Sequence, residues 1–298
     1  MTQGTRVVIG IATAGRREQM PLTLAQLARQ RVMPDRIVVC PANPADYDEA
    51  NSFLVPCPVQ VVRGPRGSSA QRNTIIAACH DADVLLFMDD DYYPAPDYVE
   101  QLAAVFSDNP DIVIATNQPV RDGATGPGIP HREAVHLLDE LPSLNTTTPQ
   151  VAPTYGGYGC NLAVRVKSLV EHAVLFDINL PLYGWLEDID FSRRLALCGR
   201  VVACSALRGV HLGTKRGRTS GLRFGYSQVA NPIYLLRKGS MSSTYALRHV
   251  GKNFAMNLLR ALWPEQWVDR KGRLKGNLLA MRDLLQGRLD PRRILGLE

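Results

Sequence analysis

Val84-Leu85-Leu86-Phe87-Met88 runs straight into Asp89-Asp90-Asp91. Five consecutive apolar residues without polar alternation describe a strand covered on both faces, as in a largely parallel sheet layered by helices. Three adjacent carboxylates cannot share that interior, because they repel one another and burial penalises each charge. The strand therefore stops at Met88, with the acids beyond its carboxyl end, where open α/β sheets gather ligands. In extended chain Asp89 and Asp91 face one way and Asp90 the other. Hard oxygen ligands of this kind suit Mg²⁺ or Mn²⁺. The plainer alternative is a solvated acidic turn before the next helix.

The flanking sequence agrees with a βαβ beginning. Arg6 to Ala12 reads as a strand, Pro21 to Arg29 as a helix, and Arg36 to Cys40 and Val59 to Val62 as strands. Ser68 or Ser69 is placed to cap a helix through Ala78. Pro96 to Phe106 predicts a helix with Tyr98, Leu102 and Val105 inward, and Asp111 to Ala115 a further strand. Residues 121–155, rich in Gly, Pro and Thr, read as a long loop or partly helical insertion. Glu187 to Cys198 predicts a helix closed by a left-handed Gly199, with a short strand at Val201 to Cys204. From about Ser227 the chain reads as mainly helical.

Composition narrows the class. Of 298 residues, 45% are hydrophobic and 21% charged, which suits a globular protein and argues against disorder or a coiled coil. Six scattered cysteines form no CxxC pair, so reduced, buried thiols in a cytoplasmic protein are expected. The first residues lack the apolar core of a secretory signal, and no apolar run reaches membrane-spanning length. The net charge of +6 is unevenly spread: Ala206 to Glu298 holds 18 lysines or arginines against 5 acids, leaving the rest acidic. Few tail aromatics and no known motif argue against nucleic acid. Val250 to Leu262 and Arg273 to Leu289 mix Leu, Met and Ala with cations, with Trp263 and Trp267 between them, as an interfacial helix does, so a peripheral place on an anionic membrane face is expected. A homodimer interface is the other use such a tail admits.

Three further clusters carry chemistry. Trp185-Leu186-Glu187-Asp188-Ile189-Asp190 opens a helix with acids, which its dipole stabilises. A carboxylate beside an apolar wall such as Trp185 acquires a raised pKa and can act as a general base. Asp190 lies roughly 200° round the helix from Asp188, so the two cannot face one site. His211, ending a probable strand in Gly209-Val210-His211-Leu212-Gly213, is a candidate metal ligand, and Lys215, Arg216 and Arg218 follow it as phosphate-neutralising cations. Gly156-Gly157-Tyr158-Gly159-Cys160-Asn161 is a turn that lets backbone approach a ligand closely. Ordinary helix-start acids, a packed histidine and a plain glycine turn are the alternatives.

In order and spacing, Ile11-Ala12-Thr13-Ala14-Gly15-Arg16, Ala70-Gln71-Arg72-Asn73, the Asp89–Asp91 triplet, the Gly-Gly-Tyr-Gly turn, Glu187-Asp188 and His211 resemble the family 2 glycosyltransferases, from about Arg6 to Lys238. The resemblance implies a GT-A fold, a Rossmann-like nucleotide-binding α/β/α sandwich, here with a mainly helical basic C-terminal extension. It divides the chain into a catalytic domain at 1–226, with a nucleotide-binding half to about 118 and an acceptor-binding half beyond it, and the helical region 227–298. It implies inverting transfer from a nucleoside-diphosphate sugar, most often a UDP-sugar, with Mn²⁺ or Mg²⁺, to a glycan or lipid-linked sugar hydroxyl. By position, Ala12, Thr13, Ala14, Arg16, Arg72, Asp89 and Asp90 would bind the nucleotide. Asp91 and His211 would hold the metal, Asp188 would be the base, and Tyr158, Trp185 and Glu187 would line the acceptor pocket. The family often ends its second strand in an Asp that reads the base; Cys40-Pro41-Ala42-Asn43 stands there instead, so the base is left open. A sugar nucleotidyltransferase and a non-catalytic nucleotide-sugar or membrane-binding protein are the alternative functions. The loop Thr13-Ala14-Gly15-Arg16-Arg17 is too short and glycine-poor for the first, and the intact acids argue against the second.

Overall fold

The computed structural model describes residues 4–142 and 149–298. The chain opens with β1 (Val7–Thr13), α1 (Gln19–Leu27), β2 (Arg36–Pro41), β3 (Val59–Val61) and α2 (Ser68–Ala77). Next come β4 (Val84–Met88), β5 (Tyr92–Pro94), α3 (Tyr98–Asp108), β6 (Ile112–Thr116), β7 (Arg121–Asp122), α4 (His131–Asp139) and β8 (Val151–Pro153). β9 (Asn161–Arg165), α5 (Val166–His172), α6 (Glu187–Leu195), β10 (Arg200–Cys204) and β11 (Gly209–His211) lead into α7 (Gly221–Lys238), α8 (Ser243–Arg260) and α9 (Arg270–Leu285).

Eight strands form one sheet in the order β3-β2-β1-β4-β9-β6-β10-β8. β4 explains its unbroken apolar run: Leu86 packs with Ile9, Leu24 and Phe106 on one face, Leu85 and Phe87 with Ile75, Leu162 and Phe191 on the other. β1 pairs in parallel with β2 on one side and β4 on the other. The connection order thus reverses beside β1, and a crevice opens beyond the carboxyl ends of β1 and β4. A second sheet, β5-β11-β7, stands over that crevice and sets His211 opposite Tyr92 and Asp122.

The expected strands and helices of the first 116 residues are present, shifted by a few residues at their ends. The structure corrects four details. Neither Ser68 nor Ser69 caps α2: Gly67 takes the cap position at φ 128°, and the two hydroxyls donate to Glu187 and to the Leu180 carbonyl. Gly199 is absent from the left-handed residues; it lets β10 close on β6, since a Cβ there would come within 2.5 Å of the Asp111 carbonyl and Val113. The helical tail begins at Gly221, so Ser227 falls inside a continuous helix. The stretch 121–155 holds β7, α4 and β8, while 143–148 lies outside the described residues. β9, the antiparallel strand between β4 and β6, is the one central strand the sequence reading lacks. Its apolar core is only Leu162-Ala163-Val164, too short for a period to register.

α7, α8 and α9 pack together through a polar network: Asn257 donates to Gln228 and Asn277, and Asn277 to the Gly225 carbonyl. α7 and α9 touch backbone to backbone at Gly225 and Gly276, where a Cβ on Gly276 would lie 2.2 Å from the Leu222 carbonyl oxygen. Backbone cannot yield as a side chain can. Gly276→Ala is therefore expected to lower unfolding stability by about 1–3 kcal/mol, outweighing the ~1 kcal/mol that Ala contributes to helix propensity. Urea unfolding followed by circular dichroism checks this, with a fall in midpoint at constant slope as the expected result.

Candidate active site

The end of β4 meets the end of β1 through Asp90. The Thr13 hydroxyl donates to one Asp90 oxygen at 2.6 Å, and Arg16 donates to the other at 2.7 Å. Arg16 also lies 3.4 Å from Asp91 Oδ2. Gln71 ties the neighbouring strands, donating to the carbonyls of Thr13 and Cys40. Ala12 and Ala14 are half-buried on either side of Thr13. Asp89 to Tyr92 close a turn beyond β4, the Tyr92 N–H donating to the Asp89 carbonyl, and this turn rather than the expected extended alternation sends Asp90 to β1.

Asp89, Asp91 and His211 each offer a ligand atom within 4.8 Å of the others. Asp91 is buried; the backbone N–H of Thr214 donates to its Oδ2 at 2.7 Å, and its Oδ1 has no hydrogen-bond partner, although His211 Nε2 is 3.3 Å away. A buried, orphaned carboxylate oxygen facing an imidazole nitrogen fits a divalent cation. Burial alone would raise the Asp91 carboxyl, but the adjacent His211 and Arg16 and the Thr214 N–H hold it well below the usual range. Burial would lower His211, yet Asp122 and Asp91 on its two nitrogens push it up to about 10.

Asp122 is the residue that sequence reasoning missed. Its Oδ1 lies 2.9 Å from His211 Nδ1 and accepts from the Ala124 N–H, and its Oδ2 accepts from the Tyr158 hydroxyl at 2.6 Å. A carboxylate on Nδ1 leaves Nε2 to face Asp91 and orients the ring. Local sequence holds no signal for this, since Asp122 lies 89 residues from His211 and only the β7–β11 register joins them. Tyr158, expected in the acceptor pocket, spends its hydroxyl on Asp122.

Across the crevice, Arg72 links the triplet to α6. It donates to Glu187 at 2.6 Å, to the Gly159 carbonyl at 2.9 Å and to Asp89 at 3.2 Å. Gly159 returns its N–H to Asp188 Oδ2 at 2.9 Å. Asp89 and Asp188 therefore share one arginine–glycine bridge. Leu186, left-handed at φ 73°, turns the chain so that α6 begins at Glu187. Burial pushes the Asp188 carboxyl up, opposed by Arg72 and the N–H groups of Gly159 and Ile189. Glu187, also expected to line the acceptor pocket, is buried and engaged by Arg72 and Ser68. Asp190 faces the other way, bound by Lys238, Ser240 and Arg194. Trp185 is half-buried, its ring against Phe224 and His249. Behind His211, Lys215 donates to the Gly123 and Ala124 carbonyls and Arg218 to those of Gly213 and Thr214. Arg216 turns outward to Glu18.

Known structures share this architecture. A mannosyltransferase, PcManGT from Pyrobaculum calidifontis, in complex with GDP-Man and Mn²⁺, aligns over 99% of this chain and 86% of its own at 15% identity, with a TM-score of 0.56. Residues 1–349 of S. aureus TarS, in complex with UDP-GlcNAc, align over 98% of this chain and 84% of theirs at 15% identity, with a TM-score of 0.57. A longer TarS structure aligns over 88% of this chain at a TM-score of 0.50 and 15% identity, and this chain spans 44% of its length. No curated relative matches by sequence. The model of the family described as Glycosyl transferase family 2 matches residues 8–171, more than half of the chain, from β1 through the Asp triplet to α5. The crevice beyond β1 and β4 lies inside that span, and the chain belongs to glycosyl transferase family 2.

Proposed function

We propose that this chain moves a glycosyl group from a nucleoside-diphosphate sugar to an acceptor hydroxyl with inversion, using Mn²⁺ or Mg²⁺. The observation that carries the reading is the convergence of Asp89, Asp91 and His211 with Asp188 through Arg72 and Gly159. The GDP-Man and UDP-GlcNAc of the structural neighbours support a nucleotide-sugar donor of one of these kinds. Ala12, Thr13, Ala14, Arg16, Arg72, Asp89 and Asp90 take the nucleotide side in residues 1–118. Acceptor contacts fall in 119–226, with Trp185 as the ring beside the base. Glu187 and Tyr158 act there by holding Arg72 and Asp122.

Asp91 and His211 would hold the metal, with Asp89 beside them. Bound there, the ion would act as a Lewis acid on the departing diphosphate. The protein's own groups do the rest. Asp188, raised by burial, takes the proton of the acceptor hydroxyl as its oxygen attacks the anomeric carbon. The Gly159 N–H fixes one of its oxygens, so the carboxylate is aimed before substrate arrives. Lys215, behind His211, would offset negative charge gathering on the leaving group.

The tail supports a second contact, with an anionic membrane surface. Leu259, Leu262, Trp263 and Leu285 are exposed, and so are Arg260, Lys271, Lys275 and Arg282 around them. Among the described residues no helix is long and apolar enough to cross a membrane, so such attachment would be interfacial.

Four outcomes are expected. Asp188→Asn binds the metal–nucleotide complex as the parent does but loses about 10²–10⁴-fold in transfer; full turnover by that variant removes Asp188 as base, and Asp91→Ala loses metal-dependent nucleotide binding by calorimetry. Asp122→Ala weakens Mn²⁺ affinity by about 10–100-fold in a titration followed by electron paramagnetic resonance. The chain floats with anionic liposomes at low salt, and Trp263→Ala with Leu262→Ala releases it. Absence of flotation together with a dimer in solution assigns the tail to self-association.

A further inference from the structure

The helical tail reaches the catalytic crevice as a file of aromatic rings. Tyr183 and Trp185 precede α6, Phe224 belongs to α7, and Tyr245 and His249 belong to α8. Ring centroids follow at 5.6 Å from Tyr183 to Phe224, 5.9 Å to Trp185, 5.7 Å to His249 and 4.6 Å to Tyr245. Tyr183 is 56% exposed, and Trp185, Phe224 and His249 are half-buried, so the ledge keeps open area. Trp185 stands three residues before Asp188, just ahead of the helix that carries it.

Two arginines stand by this ledge with no carboxylate in direct ion pair among the described residues, Asp269 being the acid nearest in effect to Arg273. Arg273 of α9 lies over the Phe224 ring at 4.5 Å from its centroid. Its guanidinium has no hydrogen bond and no ion pair among the described residues, and 143–148 contain no acid that could supply one. Arg218 spends its donors on backbone carbonyls, which satisfy hydrogen bonds but leave the charge. Burial, with Arg270 and Arg218 nearby, pushes Arg273 down to about 10. A half-buried cation such as Arg273, with the exposed Arg218 near it, is costly unless an anion joins it. Guanidinium groups match phosphate oxygens two at a time. An aromatic face offers the complementary surface for the apolar side of a sugar ring.

We infer that Tyr183, Trp185 and Phe224, with Arg218 and Arg273, form the acceptor subsite, and that the acceptor is a sugar carrying a phosphate. The sugar stacks on the ledge, its phosphate meets the two arginines, and a hydroxyl is presented to Asp188. α7 and α9 thus complete the site rather than merely flank it. This rests on the glycosyltransferase reading above, and the donor diphosphate is the other source of phosphate these cations could meet.

Calorimetry on the full chain separates the two sources. The chain is saturated with Mg²⁺ and UDP, or GDP if that is the nucleotide that titrates. N-acetylglucosamine 1-phosphate and N-acetylglucosamine are then titrated in turn. The phosphorylated sugar is expected to bind at least about ten-fold tighter, as one charge-assisted pair of contacts implies. Arg273→Gln and Phe224→Ala should each remove that margin, and Arg273→Lys should restore part of it, with nucleotide affinity unchanged throughout. Equal binding of the two sugars overturns the inference, as does an Arg273→Gln chain that loses nucleotide affinity instead. If neither nucleotide titrates, the donor reading fails, while the same sugar comparison on the unloaded chain still tests the ledge.

Discussion

Arg72 is the contact on which the crevice depends. It rises from α2, which packs against β1 and β2, and its guanidinium reaches Asp89 at the end of β4, the carbonyl of Gly159 and Glu187 at the start of α6. With side chains at 7% and 9% exposure, the Arg72–Glu187 pair is shielded from water and salt. Removing one partner of such a pair costs about 3–5 kcal/mol, because the other charge is stranded. The pair joins the nucleotide side of the sheet to the helix that carries Asp188. The spacing between the Asp89–Asp91–His211 group and Asp188 is therefore set by one side chain held at both ends.

The same logic operates at the second sheet. β11 places His211 between Asp91 on one nitrogen and Asp122 on the other, and Asp122 is held in turn by Tyr158. Each carboxylate of the triplet is differently occupied: Asp90 by Thr13 and Arg16, Asp89 by Arg72, and Asp91 by Thr214, with one oxygen left over. Three like charges in a row are tolerable because the turn after β4 sends them to different partners. The tail adds a further layer, since α7, α8 and α9 are locked to each other by amides and glycine contacts while Phe224 and His249 meet Trp185, three residues before Asp188.

Much of this was legible in the amino-acid order. The apolar run of β4 and the charges after it placed a covered strand and a site at its carboxyl end. Helical rotation separated Asp188 from Asp190, which binds Lys238 instead, whereas Asp90 parts from its neighbours through a turn and not through the extended alternation expected of it. The conclusions about β4 and α6 hold because they depend on local periodicity and on the cost of burying like charges, which a few residues express by themselves. The roles expected for Tyr158 and Glu187 were less secure, since a polar side chain near a site can serve the substrate or another residue.

What only the tertiary structure decided lies across long gaps in the chain. β9 enters between β4 and β6 with a three-residue apolar core that carries no readable period. Asp122 finds His211 at a separation of 89 residues, and Arg72 finds Glu187 at 115. Phe224 meets Trp185, and Arg273, from the region that read simply as a basic tail, lies over the Phe224 ring. Periodicity reports which face of an element is buried, not which distant element covers it; that choice is made when the sheet order and helix packing bring separate charges and rings within contact distance.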